Sequence, residues 1–246
     1  MTEPRIVLIT GAAGGLGQTA AHALAAQGYQ LILLDKRLKG LEQLYDQLLT
    51  YTAPTPLLHG FDLASAQVEH YQELAEHIAQ RFGKLDGLLH SAALFTAFAP
   101  LASQDLVEWN QTFNTNLHAP YLLTRVLLEC LVNSGSASVL FTCDHQARKP
   151  QPYSGAFGVA LSALEALVKM WSDELDSDPR IRLNLLLPGA VDSPLRRRGY
   201  PGEPAEARTS AALLAPLYPY LLGPDSAHLR GQVIDAQTFS WKQTHD

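Results

Sequence analysis

A glycine-rich turn near the start of the chain is the pattern with the clearest chemical meaning. The segment Arg5–Gly17 reads RIVLITGAAGGLG, in which an apolar run leads into the turn residues Thr10, Gly11, Gly15, Leu16 and Gly17. The run is typical of a buried strand, and the residues after the turn, Gln18–Gln27, have helical periodicity. A strand, a glycine turn and a helix bind pyrophosphate, because glycine allows close backbone approach and the helix N-terminus presents unpaired N–H groups. We therefore expect a dinucleotide site here; the alternative is an ordinary strand-to-helix turn.

The charged residues after the second predicted strand bear on the choice of dinucleotide. Asp35 follows the apolar run Gln30–Leu34. A carboxylate at this position accepts a hydrogen bond from a ribose 2′-hydroxyl and repels a 2′-phosphate. Lys36 and Arg37 come next and either neutralise such a phosphate or are solvated at the start of a helix. On balance we expect NAD(H) rather than NADP(H).

Strand-like and helix-like segments alternate along the chain, which predicts one doubly wound α/β (Rossmann) domain over residues 1–246. Its sheet should be mainly parallel, with about seven strands. After the first strand, further strands are predicted over Gln30–Leu34, Leu57–Phe61, Leu85–His90, Ser138–Thr142, Arg182–Leu187 and Gln232–Asp235. Helices are predicted over Leu38–Leu49, Ser65–Phe82 with Ser65 as N-cap, Glu108–Val132, Tyr153–Leu175 and, in broken form, Glu206–Leu222.

The segment Pro188–Glu206 is rich in proline, glycine and arginine and predicts a loop or lid. It contains three consecutive arginines, Arg196, Arg197 and Arg198. These either receive an anionic ligand or form a solvated run of charge.

The composition narrows the choice of partner and compartment. The net charge of −6 argues against nucleic acid or an anionic membrane as partner. The two cysteines make no disulfide framework, and the chain enters a strand almost at once without a visible signal peptide, so we expect a cytoplasmic protein. No apolar run is long enough to span a bilayer, and no cluster has the spacing of metal ligands.

The spacing Thr10-Gly11-x-x-x-Gly15-x-Gly17 resembles that of the short-chain dehydrogenase/reductase family, and the resemblance extends over nearly the whole chain. It implies a nicotinamide dinucleotide as cofactor and hydride transfer as the reaction. It also assigns roles to further positions: Asp62-Leu63 would contact the adenine, Ser91-Ala92 stand where the family has Asn-Ala, Asn116 matches its active-site asparagine, and Pro188-Gly189 would lie beside the nicotinamide.

The departures from the family lie at its chemistry. Members carry a serine after the fifth strand and a tyrosine and a lysine on the next helix; these positions hold Asp144, Phe157 and Leu161. The family's tyrosine passes a proton to or from the substrate oxygen, and the lysine charge makes its phenolate accessible at neutral pH. The resemblance therefore implies an oxidoreductase without the standard proton relay, whose turnover is weak or lost.

Two residues are candidates for the missing acid. Asp144 resembles an aspartate that pteridine reductases of the family carry at the serine position; the alternative is a solvated residue at a strand end. Tyr153 is the nearest remaining phenol, one helical turn before Phe157, and either reaches the pocket or packs at the surface. We thus expect an atypical NAD(P)-dependent oxidoreductase or, alternatively, a dinucleotide-binding sensor or assembly subunit without turnover. The sequence names no small-molecule substrate.

The predicted helix Tyr153–Leu175 is apolar over much of its circumference. Such a helix must be buried on more than one side. Family members pair this helix and the long helix before it across a two-fold axis, so we expect a homodimer or homotetramer.

Overall fold

Seven strands form one parallel sheet in the computed structural model, which describes residues 3–240. In chain order they are β1 (Ile6–Thr10), β2 (Gln30–Asp35), β3 (Leu57–Gly60), β4 (Gly87–His90), β5 (Ala137–Thr142), β6 (Ile181–Leu187) and β7 (Val233–Asp235). They lie in the order β3-β2-β1-β4-β5-β6-β7, so the chain runs outward from β1 to β3 and then returns to the other side of β1. This reversal opens a crevice at the carboxyl ends of β1 and β4, where α/β sheets bind ligands. The predicted doubly wound fold is confirmed. Residues 1–2 and 241–246 of the expected domain lie outside the described residues.

Helices cover both faces of the sheet. They are α1 (Gly15–Ala25), α2 (Leu38–Leu48), α3 (Val68–Phe82), α4 (Leu106–Phe113), α5 (Ala119–Val126), α6 (Leu128–Asn133), α7 (Gly155–Glu174), α8 (Pro194–Gly199) and α9 (Leu217–Leu222). One apolar cluster joins the sheet to α3, α5, α6 and α7, and a second joins its other face to α1, α2 and α9. The strands are buried on both sides, which explains their continuous apolar runs.

Two helices of the structure differ from the prediction, one in its first residue and one in its continuity. Ser65 is not the N-cap of α3: the helix begins at Val68, because the Gln67 and His70 side chains form a reciprocal capping box there. The predicted helix Glu108–Val132 is interrupted by a π-helical turn at Asn114–His118.

The predicted loop over residues 188–206, hereafter the lid, contains the short helix α8. Ser193 caps it, since its Oγ accepts a hydrogen bond from the Arg196 N–H at 3.1 Å. Pro194 occupies the first helical position, where its fixed φ suits a helix. The Ser-Pro pair is the signal in the sequence that could have revealed this helix.

Candidate functional site

The turn between β1 and α1 is so tight that two of its glycines have no room for a side chain. Gly11 has a φ of +64°, and a Cβ there would lie 2.6 Å from the Ala92 Cα. A Cβ on Gly17 would overlap the Gly11 carbonyl oxygen and lie 2.8 Å from the Ala12 Cα. The N-cap of α1 is Gly14, which has no side chain to satisfy the first N–H groups of the helix. The N–H groups of the first turn of α1 are thus not capped by the side chain of the N-cap residue, and N–H groups at such a helix start can bind an anion.

This turn opens into a cleft of about 380 Å³ along the carboxyl edge of the sheet. Thr10 supports its floor, because its Oγ1 accepts hydrogen bonds from the Ser91 and Ala92 N–H groups, both at 3.2 Å. The structure brings most of the expected site residues together: the cleft is lined by Gly11, Gly15, Leu16, Gly17, Asp35, Lys36, Asp62, Leu63, Ser91, Ala92, Asn116, Asp144, Pro188 and Gly189.

Asp35 has partners within the protein. The residue is buried, with 8% of its surface exposed; Oδ2 accepts a hydrogen bond from the Ala13 N–H at 3.0 Å, and Oδ1 accepts from the Arg37 N–H at 2.9 Å. The Arg37 Nε also lies 3.3 Å from Oδ1, which completes an ion pair. The guanidinium is held beside the glycine turn, with Nη2 4.0 Å from the place of a Cβ on Gly14. The negative charge of Asp35 is therefore balanced by Arg37, and the exposed Lys36 adds a second cation.

Apolar side chains occupy the part of the cleft beyond β5. Phe157 and Leu161 are 7% and 3% exposed and belong to the apolar cluster under α7. The Phe157 ring packs edge-on against Phe95, with 4.9 Å between the ring centroids. Among the lining residues that the structure describes there is no tyrosine, and the lysine present, Lys36, lies beyond β2.

Tyr153 does not reach the cleft. It is 61% exposed and has a φ of +71°, a left-handed conformation that places it before the start of α7 at Gly155. The structure therefore gives no support to Tyr153 as the missing acid. A phenol one turn before Phe157 would face the cleft only if the helix extended that far.

Asn116 lies in the π-helical turn and is buried. Its Oδ1 accepts a hydrogen bond from the Leu94 N–H at 2.9 Å, and its Nδ2 donates to the Leu94 carbonyl at 2.7 Å. Both ends of the amide thus hold the loop that follows β4. Asn116 lines the cleft and acts on it by positioning that loop.

Asp144 is ion-paired. Its Oδ1 accepts a hydrogen bond from the Gln146 N–H at 2.9 Å, and its Oδ2 lies 3.7 Å from Nη1 of Arg196 in the lid. Arg196 also binds the carboxylate of Glu203 through two hydrogen bonds of 2.9 and 2.6 Å. Sequence reasoning proposed Asp144 but missed this pairing, because Arg196 and Glu203 come from a distant part of the chain.

The other two arginines of the run have different partners. Arg197 binds Asp192 through hydrogen bonds of 2.7 and 2.6 Å, and Arg198 donates to the Phe95 carbonyl at 2.7 Å. The run is therefore neither uniformly solvated nor gathered around one anion. Within residues 3–240 no cluster of His, Cys, Asp and Glu could hold a metal ion, and no helix has the length and apolarity to cross a membrane.

The chain is similar in sequence and in fold to known dehydrogenases. A family model described as short chain dehydrogenase matches residues 5–203. The uncharacterized oxidoreductase YciK of Escherichia coli K12 is 32% identical over 237 residues, which cover 96% of this chain and 93% of that protein. A short-chain dehydrogenase structure from Shigella flexneri 2a, complexed with NADP, is 32% identical with a TM-score of 0.90 and covers 95% of this chain and 97% of its own. One from Escherichia coli CFT073, complexed with NADPH, is 33% identical with a TM-score of 0.89 and covers 95% and 96%.

These relatives correct the expected cofactor. The preference for NAD(H) is wrong, since the two similar structures hold NADP and NADPH. The expectation came from Asp35, whose carboxylate is already engaged by Ala13 and Arg37. The matched family model and the similarity over nearly the full length show that the chain belongs to the short-chain dehydrogenase family of oxidoreductases.

Proposed function

We propose that this protein binds NADP(H) in the cleft and lacks the proton relay with which its family reduces carbonyl groups, so that its turnover is weak or lost. One observation carries the second half of the proposal: Phe157 and Leu161, at the positions of the family's tyrosine and lysine, are buried among apolar side chains.

The residues present fit the dinucleotide. The glycine turn and the first turn of α1 would hold the pyrophosphate. Gly11 and Gly17 have no side chain and no space for one, so a phosphate could approach the backbone closely. Arg37 and Lys36 would receive the 2′-phosphate. Asp62 would contact the adenine, and Pro188-Gly189 would lie beside the nicotinamide. When bound, the nicotinamide supplies a hydride.

Among the described cleft residues around Phe157, none is a free acid that could accompany that hydride. When a hydride adds to a carbonyl carbon, the π electrons of the C=O bond move to the oxygen, which then needs a proton, and Phe157 has none to give. Burial lowers the pKa of His90 to about 3 and raises the pKa of Cys143 to about 12. At neutral pH His90 is therefore an uncharged imidazole and Cys143 a thiol. Asp144 is paired with Arg196. Loss of a positioned acid is worth roughly 10²–10⁴ in rate.

The rival function is turnover with Asp144 as a substitute acid. One observation favours it: the Asp144 side chain lines the cleft and is 26% exposed, so a ligand could reach it. Against it stands the ion pair that this carboxylate forms with the guanidinium of Arg196 in the lid. The two functions differ in whether nucleotide binding is followed by chemistry.

Nucleotide binding is tested by titrating the protein with NADPH and with NADH by calorimetry. We expect NADPH to bind about tenfold or more tightly, because one phosphate paired with arginine is worth more than 1.4 kcal/mol. Arg37→Gln should remove most of the difference. Arg180→Gln, which neutralises an exposed arginine paired with Asp178 outside the cleft, should leave it intact. No binding of NADPH at millimolar concentration would refute the proposed function.

Chemistry is tested by a screen of carbonyl and pterin substrates with NADPH. We expect background rates for wild type, Phe157→Tyr and Leu161→Lys, because a phenol without a neighbouring cation keeps a pKa near 10. The double variant should gain slow turnover, since each residue is useful only with the other. Adding Asp144→Ser should help, because a carboxylate repels a developing oxyanion. Fast wild-type activity that disappears in Asp144→Asn would establish the rival function instead.

A further inference from the structure

We propose that Asp144 and Arg196 form a latch that holds the lid closed over the glycine turn, which makes Asp144 a positioning residue for nucleotide retention. The proposal rests on the proposed function in one respect: a dinucleotide must occupy the cleft for its retention to matter. The latch itself is a property of the protein without nucleotide.

The lid reaches the glycine turn at the start of α8. A Cβ on Gly15 would lie 3.4 Å from the Ser193 Cβ and 3.7 Å from the Pro194 Cδ, both of which are ordinary van der Waals contacts. Gly15 is the first residue of α1. The lid therefore lies against the turn that would hold a ligand's phosphates, and we expect α8 to restrict the exit of a ligand bound there.

Arg196 joins the lid to the rest of the protein. Within the lid it is held by the Glu203 carboxylate and by the Tyr200 ring, whose centroid lies 3.6 Å from its guanidinium carbon. Its remaining nitrogen, Nη1, points to Asp144 at the end of β5. The side chains of Arg196 and Asp144 are 18% and 26% exposed, so this pair is shielded more than a surface ion pair.

The turn that begins at Asp144 makes a second contact with the lid. Asp144 caps this short turn and orients Gln146, whose Nε2 donates a hydrogen bond to the Tyr200 hydroxyl. The Tyr200 ring then packs edge-on against Phe98, with 5.3 Å between centroids. Asp144 thus contributes to lid closure in two ways, by its charge on Arg196 and by its cap on the turn that carries Gln146.

The identity of residue 144 is what makes the latch possible. A serine, which the family resemblance expects at this position, can cap the turn but has no charge to hold a guanidinium. Aspartate does both. The substitution that removes a catalytic hydroxyl therefore supplies an anchor for the lid.

The test compares Asp144→Asn, Asp144→Glu and Arg196→Gln with wild type. Asparagine keeps the shape and the cap but loses the charge, and glutamate keeps the charge. The matched control is Asp178→Asn, because Asp178 also pairs with an arginine, at 2.7 Å, but outside the cleft. The first measurement is the rate of trypsin cleavage after Arg197 and Arg198 without nucleotide, followed by mass spectrometry. The second is the NADPH dissociation rate, from the loss of bound NADPH fluorescence on chasing with excess NADP⁺.

We expect both rates to rise about tenfold in Asp144→Asn and Arg196→Gln, which corresponds to about 1.4 kcal/mol of lost coupling. Asp144→Glu should restore most of the wild-type rates, and Asp178→Asn should change neither. The double variant Asp144→Asn/Arg196→Gln should be no faster than Arg196→Gln alone.

An unchanged rate of trypsin cleavage in Asp144→Asn and Arg196→Gln would overturn the latch, whatever the NADPH dissociation rates of these variants. Faster cleavage in a protein that does not bind NADPH would support the latch and refute the proposed function. Should Asp144→Asn fail to fold, Arg196→Gln decides alone, with thermal unfolding to confirm that its core is intact.

Discussion

His90 and Cys143 line the cleft, and both belong to residue types that often act as acids or bases. Burial lowers the pKa of His90 and raises the pKa of Cys143, so both side chains are neutral at physiological pH. His90 Nε2 and Thr124 Oγ1 form a hydrogen bond of 2.9 Å, and the imidazole ring stacks on Phe141. At the scale of single residues, the surroundings therefore decide the chemistry more than the residue type.

His90 also makes the fold sensitive to acid. Its pKa in the folded protein, about 3, lies below the ordinary value of 6.5, so the unfolded chain takes up a proton that the folded chain excludes. The stability is then complete above about pH 6.5 and is lost as the pH falls toward 3. We expect wild type to lose about 2 kcal/mol more than His90→Gln between pH 7 and pH 5, as measured by urea unfolding. Equal pH dependence of the two proteins would mean that folded His90 takes up protons.

The site is built from the ends of elements. The glycine turn joins β1 to α1, and the π-helical turn between α4 and α5 places Asn116 against the loop that follows β4. Extra residues in π-helical turns often occur at functional sites, because they redirect a side chain without ending the helix. A change in the backbone at one of these turns therefore alters the shape of the cleft even when no polar side chain is replaced.

The two glycines at the start of α1 should therefore respond differently to alanine. In Gly17→Ala the new methyl group would overlap backbone atoms of Gly11 and Ala12, which cannot move without opening the turn. We expect a loss of about 2 kcal/mol in stability and loss of NADPH binding. Gly15→Ala is the matched control, since its methyl group meets Ser193 at an ordinary 3.4 Å, and its stability should stay within about 0.5 kcal/mol of wild type. Thermal unfolding and NADPH titration measure both effects, and equal stabilities would contradict the prediction.

At the scale of the whole molecule, the helices pack their inward faces against the sheet. Apolar surface on α5 and α7 remains exposed to solvent. Leu164 and Val168 of α7 are buried in the core, whereas Val159 and Met170 are 46% and 58% exposed. Tyr121 of α5 lies beside this face, with its ring 5.7 Å from that of Trp171. An exposed apolar face on two adjacent helices suits a two-fold interface.

We accordingly predict a homodimer or homotetramer that pairs through α5 and α7. Light scattering at micromolar concentration should give a multiple of the monomer mass for wild type and a smaller mass for Met170→Glu. Leu213→Glu is the matched control, because Leu213 is 71% exposed and its 3₁₀ turn belongs to the apolar cluster on the other face of the sheet. A monomer mass for wild type would contradict the prediction.

Local patterns in the sequence were enough to predict the order of strands and helices and the glycine turn. Apolar periodicity reports burial of a whole element, and the spacing of Gly11, Gly15 and Gly17 reports a backbone that no side chain can enter. The further residues along the carboxyl edge of the sheet were placed at the site by the family resemblance. In the structure they line the cleft.

The roles of the charged residues were decided by the tertiary structure. Asp35 was interpreted as a ribose ligand, but Ala13 and Arg37 donate hydrogen bonds to its oxygens. Asp144 was a candidate for the missing acid, with a solvated residue at a strand end as the alternative, and the structure adds its ion pair with Arg196 of the lid. Tyr153 was placed one turn from Phe157, but the helix begins after it. The charge state and the availability of a side chain depend on neighbours that folding brings from distant parts of the chain, and a linear pattern does not specify those neighbours.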